Sequence, residues 1–158
     1  MVERRRPSVL FDLYVAWQLT GQLLELELAG ADVPVEDFAF YNAIVHFEQV
    51  TPTQLAQHLG MPLSTVLFRF GRLESRGHGL RERNPRDRRS TLFRLSERGQ
   101  TAFDLAKPRF MEALAMIHRH LTTDPDAIGD ALADLSQAVD AALAEARDRE
   151  LIARKAAA

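Results

Sequence analysis

Arginine is concentrated in a short segment near the middle of this 158-residue chain. Between Arg69 and Arg98 there are ten arginines against four acidic residues, whereas from Asp124 to Glu150 there are eight acidic residues against two arginines. The net charge of the whole chain is only −2, so the basic segment is a local feature. A guanidinium group stays charged and presents a rigid fork of donors that matches phosphate oxygens. The segment therefore suits a polyanion, although its charges could also lie on an ordinary solvated surface.

The densest cluster, Pro85-Arg86-Asp87-Arg88-Arg89, lies between two segments with the alternation of β-strands. These segments are Leu80 to Arg83 and Leu92 to Leu95, and Asn84-Pro85 is a turn signal between them. The pattern predicts a hairpin with arginines at its tip. Such a tip can enter the narrow minor groove of DNA, where the negative potential is enhanced.

Two short helices with clear ends precede the hairpin. Thr51 is a good N-cap, Pro52 occupies the first helical position, and Gly60 ends the first helix. A second helix opens at Ser64-Thr65-Val66 and closes at Gly77. A helix, a turn, a second helix and a hairpin together suit duplex DNA, because one helix fits the major groove while the hairpin reaches the adjacent minor groove.

Long amphipathic segments lie on both sides of this basic lobe, and they predict a mainly α-helical chain with a small antiparallel β wing. We expect a winged helix-turn-helix lobe over residues 35–99 and a helical dimerisation region over residues 8–30 and 100–154. The terminal helices carry more apolar surface than one small lobe can cover, so a homodimer is the economical explanation. A monomeric helical cap is the alternative.

The composition argues against several other classes of protein. The absence of cysteine excludes disulfides, thiol chemistry and thiolate metal sites. No apolar run approaches about 18 residues, so we expect no membrane span and a cytoplasmic protein. His118 and His120 lie two positions apart on a predicted helix and point in different directions, so no metal site is expected. We find no phosphate-cradling glycine loop and no catalytic Ser/His/Asp order, and we therefore expect neither an enzyme nor a cofactor.

A series of short motifs occurs in a characteristic order. They are Leu55-Ala56 with Leu59-Gly60, Ser64-Thr65-Val66, Arg72-Leu73-Glu74 with Gly77, Asp87-Arg88-Arg89, and Leu95-Ser96 with Gly99. In this order the chain resembles the MarR-type (multiple antibiotic resistance regulator) family of bacterial transcription regulators. The resemblance covers nearly the whole chain in helix order. It implies a winged helix-turn-helix protein that works as a dimer.

By position, the resemblance implies DNA-binding roles in the first short helix, the second helix and the hairpin. The residues concerned are Thr53, Gln54, Ser64, Thr65, Phe68, Arg69, Arg72, Arg86, Asp87, Arg88 and Arg89. Those at 64, 65, 68 and 69 would face the major groove, and Asp87 would brace an arginine of the wing. Thr53 and Gln54, at a helix N-terminus, suit phosphate contacts.

Three features depart from the family pattern. Pro62-Leu63 replaces serine and proline before the second helix, so its cap differs. In Leu67-Phe68-Arg69 the basic residue is displaced by one position, about 100° around the helix. Phe68 could touch a thymine methyl group or pack locally. His78-Gly79 replaces an apolar pair at the start of the wing, which predicts a weak first strand.

The resemblance also implies a regulated protein. We expect a ligand-responsive repressor that binds a pseudo-palindromic duplex, and the alternative is a winged-helix module for protein–protein interaction. Trp17 could line a ligand cavity or belong to the core. The implied effector is a small aromatic or phenolic anion between the helical scaffold and the DNA-binding lobe, with His46 and Arg109 as conceivable polar partners.

Overall fold

The computed structural model describes residues 8–85, 87 and 89–156, which form six α-helices and two β-strands. Their bounds are α1 Val9–Glu27, α2 Val35–Phe47, α3 Pro52–His58, α4 Leu63–Ser75, β1 Gly79–Arg83, β2 Thr91–Leu95, α5 Glu97–His120 and α6 Pro125–Ala156. The predicted mainly α-helical fold with a small β wing is confirmed. The chain divides into two compact units, residues 1–115 and 116–158. No helix among the described residues combines the length and apolarity needed to cross a membrane.

The core of the first unit joins α2, α4, the wing and the start of α5. Phe70 of α4 stacks on Phe93 of β2 with ring centroids 3.6 Å apart. Phe38 of α2 stacks on Phe110 of α5 at 4.3 Å. Because Phe38, Phe70 and Phe93 are buried, these stacked pairs contribute apolar burial that holds α4 on the wing and α2 on α5.

Local capping sets the bounds of α3 and α4. Thr51 and Gln54 form a capping box at the start of α3, in which each side chain bonds the other residue's backbone. At the end of α4, Gly77 adopts a φ of 73°, and the amide of His78 donates to the Leu73 carbonyl at 2.8 Å. This left-handed glycine reverses the chain directly into β1.

The first wing strand is not weak, and that expectation was wrong. All five residues of β1 pair antiparallel with β2, from Gly79 opposite Leu95 to Arg83 opposite Thr91. His78 is fully buried before the strand, where its Nδ1 and the Tyr41 hydroxyl are hydrogen-bonded at 2.8 Å. His78-Gly79 stands where an apolar pair was expected, and the buried hydrogen bond between His78 and Tyr41 takes the place of apolar packing there. Burial also raises the pKa of Tyr41.

α1 and α6 leave large apolar side chains in solvent. On α1, Leu10, Trp17 and Leu26 are 60%, 70% and 76% exposed. On α6, which belongs to the second unit, the exposed residues include Leu132, Val139, Leu143, Leu151 and Ile152. Such contiguous apolar exposure on helices is typical of a surface that another chain covers.

Candidate nucleic-acid interface

α4 has one buried face and one face open to solvent. Val66, Phe70 and Leu73 are fully buried, as the spacing predicted. Ser64 and Phe68 lie on the opposite side, and the Phe68 side chain is 68% exposed. The N-cap is Pro62, which makes no side-chain hydrogen bond to the first turn. The backbone N–H groups of that turn are therefore not satisfied by a cap and suit an anion.

The arginines of α4 and its C-cap converge on one acidic residue of α2. Asp37 is fully buried, and its carboxylate lies 2.8 Å from Nη1 of Arg69 and 3.2 Å from Nη1 of Arg76. Nη2 of Arg72 is 3.6 Å from the same carboxylate and 3.2 Å from Oε1 of Glu36. Arg69 also donates to the Glu36 carbonyl oxygen. The arrangement links α4 to α2 through one buried charge and several donors.

Arg69 therefore lies differently from what the sequence led us to expect. Its guanidinium group is directed at α2, whereas base reading requires the open face of α4. Arg72 pairs with Glu36 and keeps a 36% exposed side chain, and its contact with DNA stays a prediction. The side chains of Arg69 and Asp37 are 23% and 0% exposed, so this ion pair is largely shielded from solvent. Asp37 lies 32 positions before Arg69, and no motif in the sequence pointed to that pairing.

Glu36 takes part in the same contacts from the surface. The hydrogen bond from its own backbone amide, with the Arg72 guanidinium beside it, lowers the pKa of the Glu36 carboxyl despite some desolvation. The half-exposed side chain leaves its interaction with Arg72 well screened by water.

The tip of the wing is held by short-range hydrogen bonds. The Arg89 amide donates to Oδ1 of Asp87 at 3.0 Å, and the Ser90 amide donates to the Asp87 carbonyl at 3.0 Å. Nδ2 of Asn84 donates to Oγ of Ser90 at 2.7 Å. Asp87 thus organises the turn through backbone groups, and Arg89 is exposed beside it. Asp87 was expected to brace the guanidinium group of Arg88 or Arg89, and its bond to Arg89 is to the backbone amide. Arg86 and Arg88 lie outside the described residues, so the bracing stays a prediction.

Two further wing arginines are engaged within the lobe. Nε of Arg81 donates to Glu74 of α4 at 2.8 Å, and the Arg81 guanidinium lies about 5 Å from the centroids of the stacked rings of Phe70 and Phe93. Arg94 pairs with Glu82 on the neighbouring strand. Arg83 and Arg89 are exposed, so the cationic surface of the described wing lies toward its tip.

Thr53 and Gln54 are both exposed on the first turn of α3. Together with residues of the wing tip they line an open groove of about 810 Å³. Oε1 of Gln54 accepts hydrogen bonds from the backbone amide and the hydroxyl of Thr51, so this side chain also serves the cap. The spacing Thr-x-x-Gln in the sequence is that of a capping box. The sequence pattern led us to identify Thr51 as the N-cap, but not Gln54 as its partner.

A separate cavity of about 430 Å³ lies between α1, α2 and α5 within the first unit. Trp17 lines it, with Phe38, Phe110, Met111 and Lys107. The other two predicted ligand partners are elsewhere. His46 is close to Phe47 and stacks on His58, and Arg109 donates to the Ala29 carbonyl at 2.7 Å. The basic residue that lines this cavity is Lys107, not His46 or Arg109.

No group of three or more His, Asp or Glu residues with metal-binding geometry is present in the part of the chain that the structure describes.

Comparison with known proteins identifies the fold. The transcriptional regulator MOSR of M. tuberculosis, solved in complex with DNA, is similar with a TM-score of 0.76 and 20% identity over 86% of this chain and 98% of that chain. A mutant MarR from E. coli complexed with operator DNA has a TM-score of 0.71 and 23% identity, covering 80% and 91%. FabT of Streptococcus pneumoniae in complex with DNA has a TM-score of 0.66 and 24% identity, covering 84% and 95%. No protein-family model and no curated protein matches the sequence.

These likenesses establish the architecture of the chain. It has the winged helix-turn-helix fold of the MarR-type structures. The fold implied by the sequence motifs is therefore confirmed.

Proposed function

We propose that this protein is a homodimeric, sequence-specific DNA-binding transcriptional regulator without enzymatic activity. The observation that carries the proposal is the combination, in one lobe, of an open face on α4 and an exposed arginine-bearing wing tip. Solved structures of the same fold contain DNA, which supports a nucleic-acid ligand. The local excess of arginine between Arg69 and Arg98 supports it independently.

We expect three kinds of contact between the chain and a duplex. Ser64, Thr65 and Phe68 would meet base edges in the major groove. Thr53, Gln54 and the uncapped amides at the start of α4 would contact phosphates and fix the register. Arg89, together with Arg86 and Arg88, would reach the minor groove. Arg69 and Arg72 take a positioning role through Asp37 and Glu36.

The exposed apolar residues of α1 and α6 support a homodimer. An isolated chain would leave Leu10, Trp17 and Leu143 in water, and each helix could bury them against a second copy. A two-fold dimer presents α4 twice, about one helical turn of DNA apart, and so favours a pseudo-palindromic site.

We propose that the protein is a cytoplasmic repressor whose DNA binding responds to a ligand. The cavity beside Trp17 has a largely aromatic and aliphatic lining, which suits a small aromatic ligand, and its charged lining residues are Lys107, Glu25 and Glu36. Lys107 is the lining cation that can bind the charged group of an aromatic or phenolic anion. Trp17 is the only tryptophan of the chain, so titration with 4-hydroxybenzoate can be followed by its fluorescence. Saturable quenching that is weakened in Lys107→Ala supports the site, and quenching unaffected by that change contradicts it.

Binding of the protein to a pool of random duplexes tests the function. We expect retention of DNA at low salt and, after repeated selection, enrichment of a pseudo-palindromic sequence. The competing function is a winged-helix module for protein partners, which the exposed apolar side chain of Phe68 favours. A chain that ignores every duplex even in dilute buffer would support that alternative and overturn the proposal.

A further inference from the structure

The open face of α4 carries several exposed apolar residues. Leu63, Leu67 and Phe68 are 46%, 39% and 68% exposed, and Gly71 follows on the same side of the helix. An open depression of about 530 Å³ lies beside Phe68. Exposed apolar residues on one helix face cost free energy in water, so they indicate a surface that becomes covered.

The guanidinium groups of Arg69, Arg72 and Arg76 are bonded to acidic residues of α2, although the side chains of Arg72 and Arg76 also line the depression beside Phe68. Recognition of guanine in the major groove most often uses an arginine or lysine that bonds O6 and N7. Here Arg69 and Arg76 bond the buried carboxylate of Asp37, at 2.8 and 3.2 Å, and Arg72 bonds Glu36. Releasing Arg69 toward a base would leave one side of a buried carboxylate unsatisfied, which is unfavourable.

Only one group at the base edges of the major groove is apolar, and it is the C5 methyl group of thymine. We propose that α4 recognises thymine methyl groups through van der Waals contact with Phe68, with Leu67 beside it, and does not select guanine through Arg69. This inference rests on the proposed DNA-binding function and names the base class that its recognition helix selects.

The charge of the surroundings favours DNA over an apolar protein surface as the occupant. Phe68 belongs to a lobe whose exposed Arg83 and Arg89 would lie unpaired against an apolar partner but are complementary to phosphates. Ser64 and Ser75, which are exposed on the same side of α4, can add hydrogen bonds to neighbouring polar edges.

Replacing thymidine by deoxyuridine removes the methyl group and keeps every Watson–Crick hydrogen bond. The probes are duplexes selected from the random pool by the wild-type protein and resynthesised with deoxyuridine at each enriched thymine in turn. We expect the affinity to fall about fourfold for each contacted methyl group, and about fifteenfold when one is removed in each half-site. Phe68→Ala should bind the thymidine duplex more weakly and lose this discrimination. The matched control is Leu80→Ala on β1, which lies outside the predicted dimerisation region and the proposed base contacts and whose side chain is 39% exposed, and it should keep the discrimination.

The outcomes separate the inference from the function beneath it. Equal affinity for thymidine and deoxyuridine duplexes, or discrimination that survives in Phe68→Ala, overturns methyl recognition while DNA binding stands. Absence of binding to any duplex at low salt overturns both. Because Phe68 lies at the surface, its removal should not impair folding, and the deoxyuridine comparison on the wild-type protein needs no variant.

Discussion

At the scale of single residues, the arginines of α4 and those of the wing have the same chemistry and different partners. Arg69 bonds a carboxylate that is fully withdrawn from water, whereas Arg89 is exposed at the tip of the hairpin. The sequence predicted both as DNA contacts, because residue type and spacing along one helix do not reveal a partner 32 positions away. Because Asp37 is buried, its carboxylate requires the Arg69 guanidinium as a partner, and this pairing keeps Arg69 away from the bases.

Arg89→Ala should weaken DNA binding by about 1–3 kcal/mol, because a guanidinium at the wing tip is lost from contact with the duplex. The dimer should persist, since Arg89 lies at the exposed wing tip and the proposed dimer contacts are the apolar residues of α1 and α6. Fluorescence anisotropy of a labelled selected duplex measures the loss, and the control is Arg119→Ala, which replaces an exposed arginine of α5. Unchanged affinity of Arg89→Ala for the duplex would contradict a contact between Arg89 of the wing tip and DNA.

Asp37→Ala should destabilise the folded chain by about 1–3 kcal/mol, because the donors of Arg69 and Arg76 lose their buried acceptor. Arg69→Ala should cost less, since Arg76 and Arg72 remain 3.2 and 3.6 Å from the carboxylate. Urea unfolding followed by circular dichroism compares the two variants. A greater loss in Arg69→Ala than in Asp37→Ala would contradict the arrangement.

At the scale of elements, the junction of β2 and α5 explains the serine and the glycine of the motif Leu95-Ser96 with Gly99. Oγ of Ser96 donates to the Gly77 carbonyl at 2.6 Å and accepts from the Gly99 amide at 3.0 Å. A Cβ at Gly99 would lie 2.2 Å from the carbonyl oxygen of His78. Only glycine allows α5 to start this close to the chain before β1.

Gly99→Ala should therefore destabilise the protein by about 1–3 kcal/mol, because backbone atoms must separate to admit the methyl group. The matched control is Gly129→Ala in α6, where no atom lies within 4 Å of the added Cβ. That change should be neutral or stabilise by up to about 1 kcal/mol. Thermal unfolding of both variants measures the difference, and equal melting temperatures would refute the close approach.

Elements whose ends are set locally could be predicted from the sequence. Thr51-Pro52 and Gly77 mark helix ends through their own side chains and backbone freedom, and the structure agrees. The strength of β1 was misjudged because the hydrogen bond between His78 and Tyr41 spans 37 positions. Non-local polar pairs leave no periodic signal, whereas caps, turns and apolar stripes do.

At the scale of the whole molecule, the exposed apolar residues of α1 and α6 are the basis for expecting two copies. The native mass should be twice 17.8 kDa. Introducing Leu10→Asp and Leu143→Asp together should give monomers, because carboxylates would be buried in an apolar contact. Gln137→Asp, about 200° around α6 from Val139, is the control. Light scattering measures the mass of each variant in solution, and a wild-type mass of 17.8 kDa would contradict the dimer.

The salt dependence of duplex binding tests the central claim most directly. The logarithm of the association constant for a selected duplex should fall linearly with the logarithm of salt concentration, with a slope of about −3.6 or steeper if each of the two protomers neutralises two or more phosphates. Saturation should occur at two protomers per duplex. A slope near zero, or no binding in dilute buffer, would contradict the assignment of this protein to DNA.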